Sequence, residues 1–324
     1  MKVFNKLTFV DFCSGIGAGR LGLENAGMKC VAHSEIDSNP DLTYQLFFDD
    51  ISNLGDLTKL NPDDLPNFDV MLAGFPCQTF SIVGKRAGMN DDRGQIIYYL
   101  TDILKRKNTP FFILENVKGL INHNKGETLT SILELLSDAG YQVYYQVLDS
   151  QYYGVPQMRE RVYFVGIRKD IVHTPFEFPK PINANPIDYY LSDDRDYGFD
   201  NNNPTFQKYL ASKYNNNQYN IDEIVKTDYQ VIDWRQSDFR LYENKSPTLR
   251  TGRHGILYTK NGKLRKLSGY EALLLQGFPK EIAKKVIEHK LPDSKILSQA
   301  GNAMTVTVIE ALGRQLLKAI GNLK

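Results

Sequence analysis

The start of the chain limits the fold most. Leu7-Thr8-Phe9-Val10-Asp11-Phe12 is an apolar run that reads as a strand, and Gly15-Ile16-Gly17-Ala18-Gly19 follows it as a turn. Leu21, Leu23 and Ala26 then recur at helical spacing. Strand, glycine-rich turn and helix in succession call for a mostly parallel sheet covered by helices, an α/β fold. The turn lets a ligand approach backbone N–H groups at a helix N-terminus, although many α/β folds use such a turn for packing alone.

The pattern repeats with chemistry-bearing residues at each strand end. Residues 30–34 form a second apolar run ending at Glu35-Ile36-Asp37. An acid about 20 residues past the glycines suits ribose hydroxyls. Asp56, in Gly55-Asp56-Leu57, lies between elements, where a carboxylate accepts from an adenine amino group or simply caps a turn. Residues 68–73 are a third run, leading into Gly74-Phe75-Pro76-Cys77-Gln78. That places a cysteine just past a strand end, where open α/β sheets gather their ligands. The bland alternative is a small buried hydrophobe.

Residues 78–94 lack apolar periodicity and carry Lys85, Arg86 and Arg93, so they read as a long loop, of the kind that is either a functional lid or disordered. Residues 110–114 form a fourth strand ending at Glu115-Asn116-Val117. Burial of an acid at such a strand end raises its pKa and makes it a candidate proton donor. Gln157-Met158-Arg159-Glu160-Arg161 opens a strand over 162–166, and period-two spacing puts Gln157, Arg159 and Arg161 on one face. They suit an anion or a base carbonyl, or a charged edge strand.

Composition excludes several classes. Charged residues at 24% and hydrophobic residues at 42% are ordinary soluble values. Three cysteines without CxxC spacing fit a reducing cytoplasm, and no Cys/His cluster has metal-ligand spacing. No apolar run is long enough to span a bilayer. A net charge of +1 gives no bulk signal for nucleic acid. Residues 244–266, however, contain no acid and hold Lys245, Arg250, Arg253, Lys260, Lys263, Arg265 and Lys266, a local basic stripe. Prolines over 175–186 mark a domain boundary, and residues 188–243, rich in Asn and Tyr, read as an irregular small domain. Ser268 and Glu271 form a capping box, and a last helix through Val306, Ile309 and Leu316 needs a sheet to cover.

Taken in order, these blocks resemble the bacterial cytosine-5 DNA methyltransferases along nearly the whole chain. The resemblance rests on the 11–19 turn, Glu35, Asp56, Gly74-Phe75-Pro76-Cys77-Gln78, Asp92-Arg93-Gly94, Glu115-Asn116-Val117 and Gln157-x-Arg159-x-Arg161. Arg265-Lys266-Leu267-Ser268 with Glu271, Gly277-Phe278-Pro279 and Gly301-Asn302 complete it. It departs at three positions. Cys13 and Ile36 stand where the family often has Phe and Trp, and Ala303 where Ser is common.

The resemblance implies a Rossmann-like S-adenosylmethionine-dependent domain, 1–187 plus 300–324. It also implies a small target-recognition domain at 188–266 and a bridging segment at 267–299. Cys77 is then the nucleophile that adds to carbon 6 of cytosine. Glu115 acts at ring nitrogen 3, Asn116 holds the loop, and Arg161, supported by Arg159, holds the base carbonyl. S-adenosylmethionine falls to Asp11, Cys13, Ser14, Gly15, Ile16, Gly17, Glu35, Ile36, Asp56, Leu57, Gly74, Pro76, Asn302 and Ala303, with no metal. The target carbon lies inside a duplex, so the base must be flipped out. Double-stranded DNA falls to Gln78, Ser81, Lys85, Arg93, Gln157, Arg235, Gln236, Thr248, Leu249, Arg250, Arg253 and His254. A monomer in a prokaryotic or phage-infected cytoplasm, paired with a restriction endonuclease, is the expected setting.

Three rivals are weaker. The tRNA-acting branch carries a Cys-Phe-Thr tripeptide that this chain lacks. A non-catalytic DNA-binding protein would not need Cys77, Glu115 and Arg161 together. A nicotinamide oxidoreductase accounts for the glycines but not for the Pro76-Cys77 turn.

Overall fold

A computed structural model describes residues 6–76, 96–212, 218–234, 239–252 and 255–321. Cys77, Gln78, Ser81, Lys85, Arg93, Arg235, Gln236, Arg253 and His254 therefore lie outside the described residues, as does the long loop expected over 78–94. The chain forms two compact units. One holds 1–149, 160–181 and 304–324, the other 150–159 and 182–303. These bounds differ from the sequence expectation: 150–159 leaves the first unit, and 267–299 sits within the second.

The first unit is an α/β sheet. Its elements run β1 (Thr8–Phe12), α1 (Ala18–Asn25), β2 (Lys29–Ser34), α2 (Ser38–Phe48) and β3 (Val70–Gly74). They continue α3 (Ile96–Lys107), β4 (Phe111–Val117), α4 (Glu127–Asp138), β5 (Tyr141–Asp149) and β6 (Glu160–Arg168). The sheet order is β2-β1-β3-β4-β6-β5. β1 to β4 are mutually parallel, and β6 runs antiparallel to β4 and β5. Val10, Met71, Phe112 and Leu114 are fully buried, as continuous apolar strands require when both faces are covered. The order reverses between β1 and β3, which is the switch point where doubly wound sheets bind ligands.

The second unit is more regular than its composition suggests. Helices α5 (Pro204–Leu210) and α6 (Ile221–Ile224) precede β7 (Val231–Trp234), β8 (Phe239–Tyr242), β9 (Ile256–Lys260) and β10 (Lys263–Lys266). These strands form an antiparallel sheet of order β10-β9-β7-β8. Four or five residues per strand are too few for alternation to stand out in sequence. Phe206, Ile232, Phe239, Leu257 and Leu264 form its core. Helices α7 (Gly269–Leu275), α8 (Lys280–Glu288) and α9 (Asp293–Asn302) follow, and Ser268 with Glu271 makes the reciprocal capping box that starts α7.

The chain then rejoins the first unit as α10 (Val306–Ala319), which lies close on α1. A Cβ on Gly22 would stand 2.7 Å from the Val306 carbonyl oxygen and from Ile309. Only glycine allows that approach.

Candidate active site

Four parallel strands deliver their carboxyl ends to one edge of the sheet, and the sequence places polar or glycine residues at each. After β1 the chain turns sharply. Cys13 and Gly15 adopt φ of +53° and +55°, and Gly17 adopts +81°. At Gly17 a Cβ would come 3.0 Å from the Tyr44 ring, so glycine serves both conformation and space. At Gly15 a Cβ would meet nothing within 4 Å, so the space beside its Cα is open. Asp11 lies on β1. It is fully buried, and its Oδ2 accepts from the Arg20 N–H at 3.1 Å inside α1. Burial holds its carboxyl well above the ordinary range. Its Oδ1 is buried without a hydrogen-bond partner among the described residues.

Glu35, just past β2, is clamped across that turn. Its Oε2 accepts from the Gly15 N–H at 2.8 Å and its Oε1 from the Asp37 N–H at 2.9 Å. Asn53, which the sequence reading missed, fixes the Glu35 backbone. Its Oδ1 accepts from the Glu35 and Gly55 N–H groups, and its Nδ2 donates to the Glu35 carbonyl. A lone Asn in a turn carries no signal that separates this clamp from an ordinary loop residue. Beside Glu35, Ile36 is 75% exposed, an apolar surface presented at a strand end. Asp56 caps the following turn, accepting at Oδ1 from the Thr58 N–H and hydroxyl. The Thr58 hydroxyl holds its carboxyl below the ordinary value. Leu57 and Ile16 are buried. Open space beside Gly15, carboxylate acceptors at Glu35 and Asp56 and bare apolar Ile36 together fit an adenosine-bearing cofactor.

Glu115, on β4, lies opposite Gly74 in the register. Its Oε1 stands 3.1 Å from Arg161 Nε, and both side chains are largely buried. Arg161 reaches it from β6, where it pairs with Val117. A Cβ on Gly74 would lie 3.5 Å from Glu115 Oε2, so glycine there keeps the carboxylate's flank open. Asn116 is buried; its Nδ2 donates to the Phe75 carbonyl at 2.9 Å, and its Oδ1 accepts from the Val117 N–H. It thereby ties the acid-bearing strand to the backbone two residues before Cys77. Pro76 is exposed. Burial pushes the thiols of Cys13 and Cys30 up to about 12, so neither described cysteine is a thiolate near neutrality.

The expected line of three residues on one face does not form. β6 begins at Glu160, so Gln157 and Arg159 lie outside it, in the second unit. Gln157 is fully buried, donating to the Leu275 carbonyl and accepting from the Leu249 N–H. It has no free face for DNA. Arg159, 2% exposed, donates to the carbonyls of Leu249, Gly301 and Ala303 at 2.8–3.2 Å. Period-two reasoning fails because the strand begins between Arg159 and Arg161.

Other assigned positions also fall in the second unit. Leu249 and Ala303 are buried, Asn302 is exposed with its Oδ1 accepting from the Thr251 hydroxyl, and Thr248 donates to the Met158 carbonyl. Arg250 is exposed. Within the basic stripe, Arg265 is committed internally, donating to the Tyr258 hydroxyl and to the Asp193 carbonyl. Lys245, Lys263 and Lys266 remain exposed.

Comparison with known proteins extends these local features to the whole chain. A family described as C-5 cytosine-specific DNA methylase matches residues 7–318. The type II methyltransferase M.BsuFI of Bacillus subtilis is 37% identical over 311 residues, covering 95% of this chain and 71% of that protein. M.NgoBI of Neisseria gonorrhoeae is 38% identical over 308 residues, covering 93% and 90%. Among solved structures, the Entamoeba histolytica methyltransferase EhMeth superposes with a TM-score of 0.72 at 18% identity, over 97% of this chain and 99% of that one, a likeness of fold.

Proposed function

The chain belongs to the C-5 cytosine-specific DNA methylase family, and from that premise we propose that it methylates cytosine through a covalent adduct on Cys77. The observation that carries this reading is the Glu115–Arg161 pair at the end of β4, joined through Asn116 to the backbone leading into Cys77.

Carbon 5 of cytosine is a weak nucleophile. Addition of the Cys77 thiolate to carbon 6 makes the ring enamine-like and carbon 5 electron-rich. Glu115 hydrogen-bonds or protonates nitrogen 3 as the thiolate adds, taking up charge that would otherwise develop on the ring. Arg161 fixes the Glu115 carboxylate and holds the base carbonyl oxygen. S-adenosylmethionine, bound by the 13–17 turn, Glu35, Ile36 and Asp56, supplies an electrophilic methyl group on a sulfonium. Loss of the carbon 5 proton to water then returns the electron pair that expels the Cys77 thiolate.

The substrate is duplex DNA with the target base flipped out. Ser81, Lys85 and Arg93 would serve phosphates, and Arg235 and Gln236 are the candidates to fill the gap left by the flipped base. Arg250, Arg253 and His254 with the exposed lysines of the stripe read and hold the target. A cognate restriction endonuclease and a monomeric, cytoplasmic enzyme complete the reading. Among the described residues no helix is long and apolar enough to cross a membrane.

Bisulfite sequencing of DNA from a host expressing the chain tests the activity. Protected cytosines in one sequence context are expected with the wild type and none with Cys77→Ser, whose DNA binding persists in a gel-shift assay. Methylation by a clean Cys77→Ser preparation would overturn the adduct.

A further inference from the structure

A buried layer beneath the glycine-rich turn has no part in the chemistry above. His33, near the end of β2, is fully buried, and its Nδ1 stands 3.1 Å from the Ser14 hydroxyl. Its ring stacks on Tyr44 of α2, with centroids 3.7 Å apart and planes within 10°. Tyr44 is itself buried under Gly17, and its hydroxyl accepts from Arg20 at 3.4 Å. Arg20 is held by Asp50 and Glu24 and lies over the Phe48 ring. A rigid platform thus runs from α2 to one hydrogen bond on the turn.

Two facts give that bond a purpose beyond filling space. First, the turn is strained. Cys13 is a non-glycine residue at φ +53°, a conformation that persists only where the surroundings over-determine it. Ser14 is its neighbour, and it is tied three ways: its N–H donates to the Ser34 carbonyl, its carbonyl accepts from the Gly17 N–H, and its hydroxyl meets His33. Second, an imidazole is costly to bury, and of its two ring nitrogens Nδ1 meets the Ser14 hydroxyl while Nε2 lies 3.9 Å from the Asp41 carboxylate, beyond hydrogen-bond distance. Burial pushes His33 down to about 4, so it is neutral at working pH, with one ring nitrogen able to accept.

We propose that His33 is a positioning residue for the methyl donor, holding Ser14 and through it the strained 13–17 turn in the shape that receives the donor. This rests on the reading of that turn as the S-adenosylmethionine site.

The test compares wild type, His33→Ala, His33→Asn, Ser14→Ala and the His33→Ala/Ser14→Ala pair. Calorimetry measures binding of S-adenosylhomocysteine, and initial rates give KM for S-adenosylmethionine and kcat. Loss of one buried hydrogen bond predicts about tenfold weaker binding and higher KM for His33→Ala and for Ser14→Ala. The kcat of His33→Ala at saturating donor stays near wild type. The pair is no worse than either single variant, and His33→Asn, which keeps an acceptor, regains most of the affinity. Ser14→Ala removes the bond by deleting one oxygen, so the test stands even where alanine at 33 lowers the melting temperature. Full affinity in a folded His33→Ala, or additive losses in the pair, would overturn the positioning role. Wild type that fails to bind S-adenosylhomocysteine would overturn the cofactor reading itself, and the positioning role with it.

Discussion

Arg159 and Arg161 are two residues apart, are the same residue type and look equivalent in sequence. The structure gives them opposite surroundings. Arg161 lies on β6 and points one nitrogen at a carboxylate, Glu115, whose flank is kept open by Gly74. Arg159 precedes the strand and spends its guanidinium on three backbone carbonyls that meet in the second unit. One cation is matched by an acid that can take part in proton chemistry. The other is matched by neutral carbonyls and serves as a brace. Spacing names the candidates; their partners decide what each does.

The comparison can be sharpened from either side. Glu115→Gln keeps the shape beside Arg161 and removes the ionisable group. Single-turnover methyl transfer should fall about 100-fold or more, the usual scale for a lost general acid. DNA affinity in the same preparation should change little. A near-wild-type rate would make the Glu115–Arg161 pair as architectural as Arg159.

Gln157→Leu probes the brace. It leaves the Leu275 carbonyl and the Leu249 N–H without their buried partner, a loss of about 2 kcal/mol. The midpoint of urea unfolding should drop with an unchanged slope. An unchanged midpoint would contradict the bracing role of the 157–159 stretch.

His33 is a third buried group that holds a turn, but one that can gain a charge. Its folded value of about 4 lies below the ordinary 6.5, chiefly through burial, with Asp41, Arg20 and Asp50 nearby. The unfolded chain therefore takes the proton first as pH falls. Stability is full above about 6.5 and declines as pH drops toward 4, by at most about 1.4 kcal/mol per pH unit. His33→Asn should flatten that part of the stability profile. An unaltered acid slope would show that His33 is not the group responsible.

Much of this is legible in the residues alone. The apolar runs of β1 to β4 are continuous because both faces are covered, and the residue types at their ends, Gly15, Glu35, Gly74 and Glu115, betray what each end does. The second unit is hidden for the opposite reason. Its strands are four or five residues long, and its core is assembled from Phe206, Ile232 and Leu264, far apart in sequence. Gln157 and Arg159 are misread because a two-residue period has no way to register where a strand begins. Asn53 and His33 escape notice because their importance lies in which backbone or hydroxyl they meet, and nothing local announces that.

Arg159→Met and Arg161→Ala, measured side by side for methyl-transfer rate and melting temperature, test the division most directly. The account predicts that Arg161→Ala slows single-turnover transfer about 1,000-fold while melting within a few degrees of wild type. Arg159→Met should melt well below wild type, since the Leu249, Gly301 and Ala303 carbonyls lose the guanidinium that joins them, yet transfer methyl groups at a near-normal rate per folded molecule at low temperature. A fully stable Arg159→Met with a collapsed rate, or an Arg161→Ala that turns over normally, would contradict it.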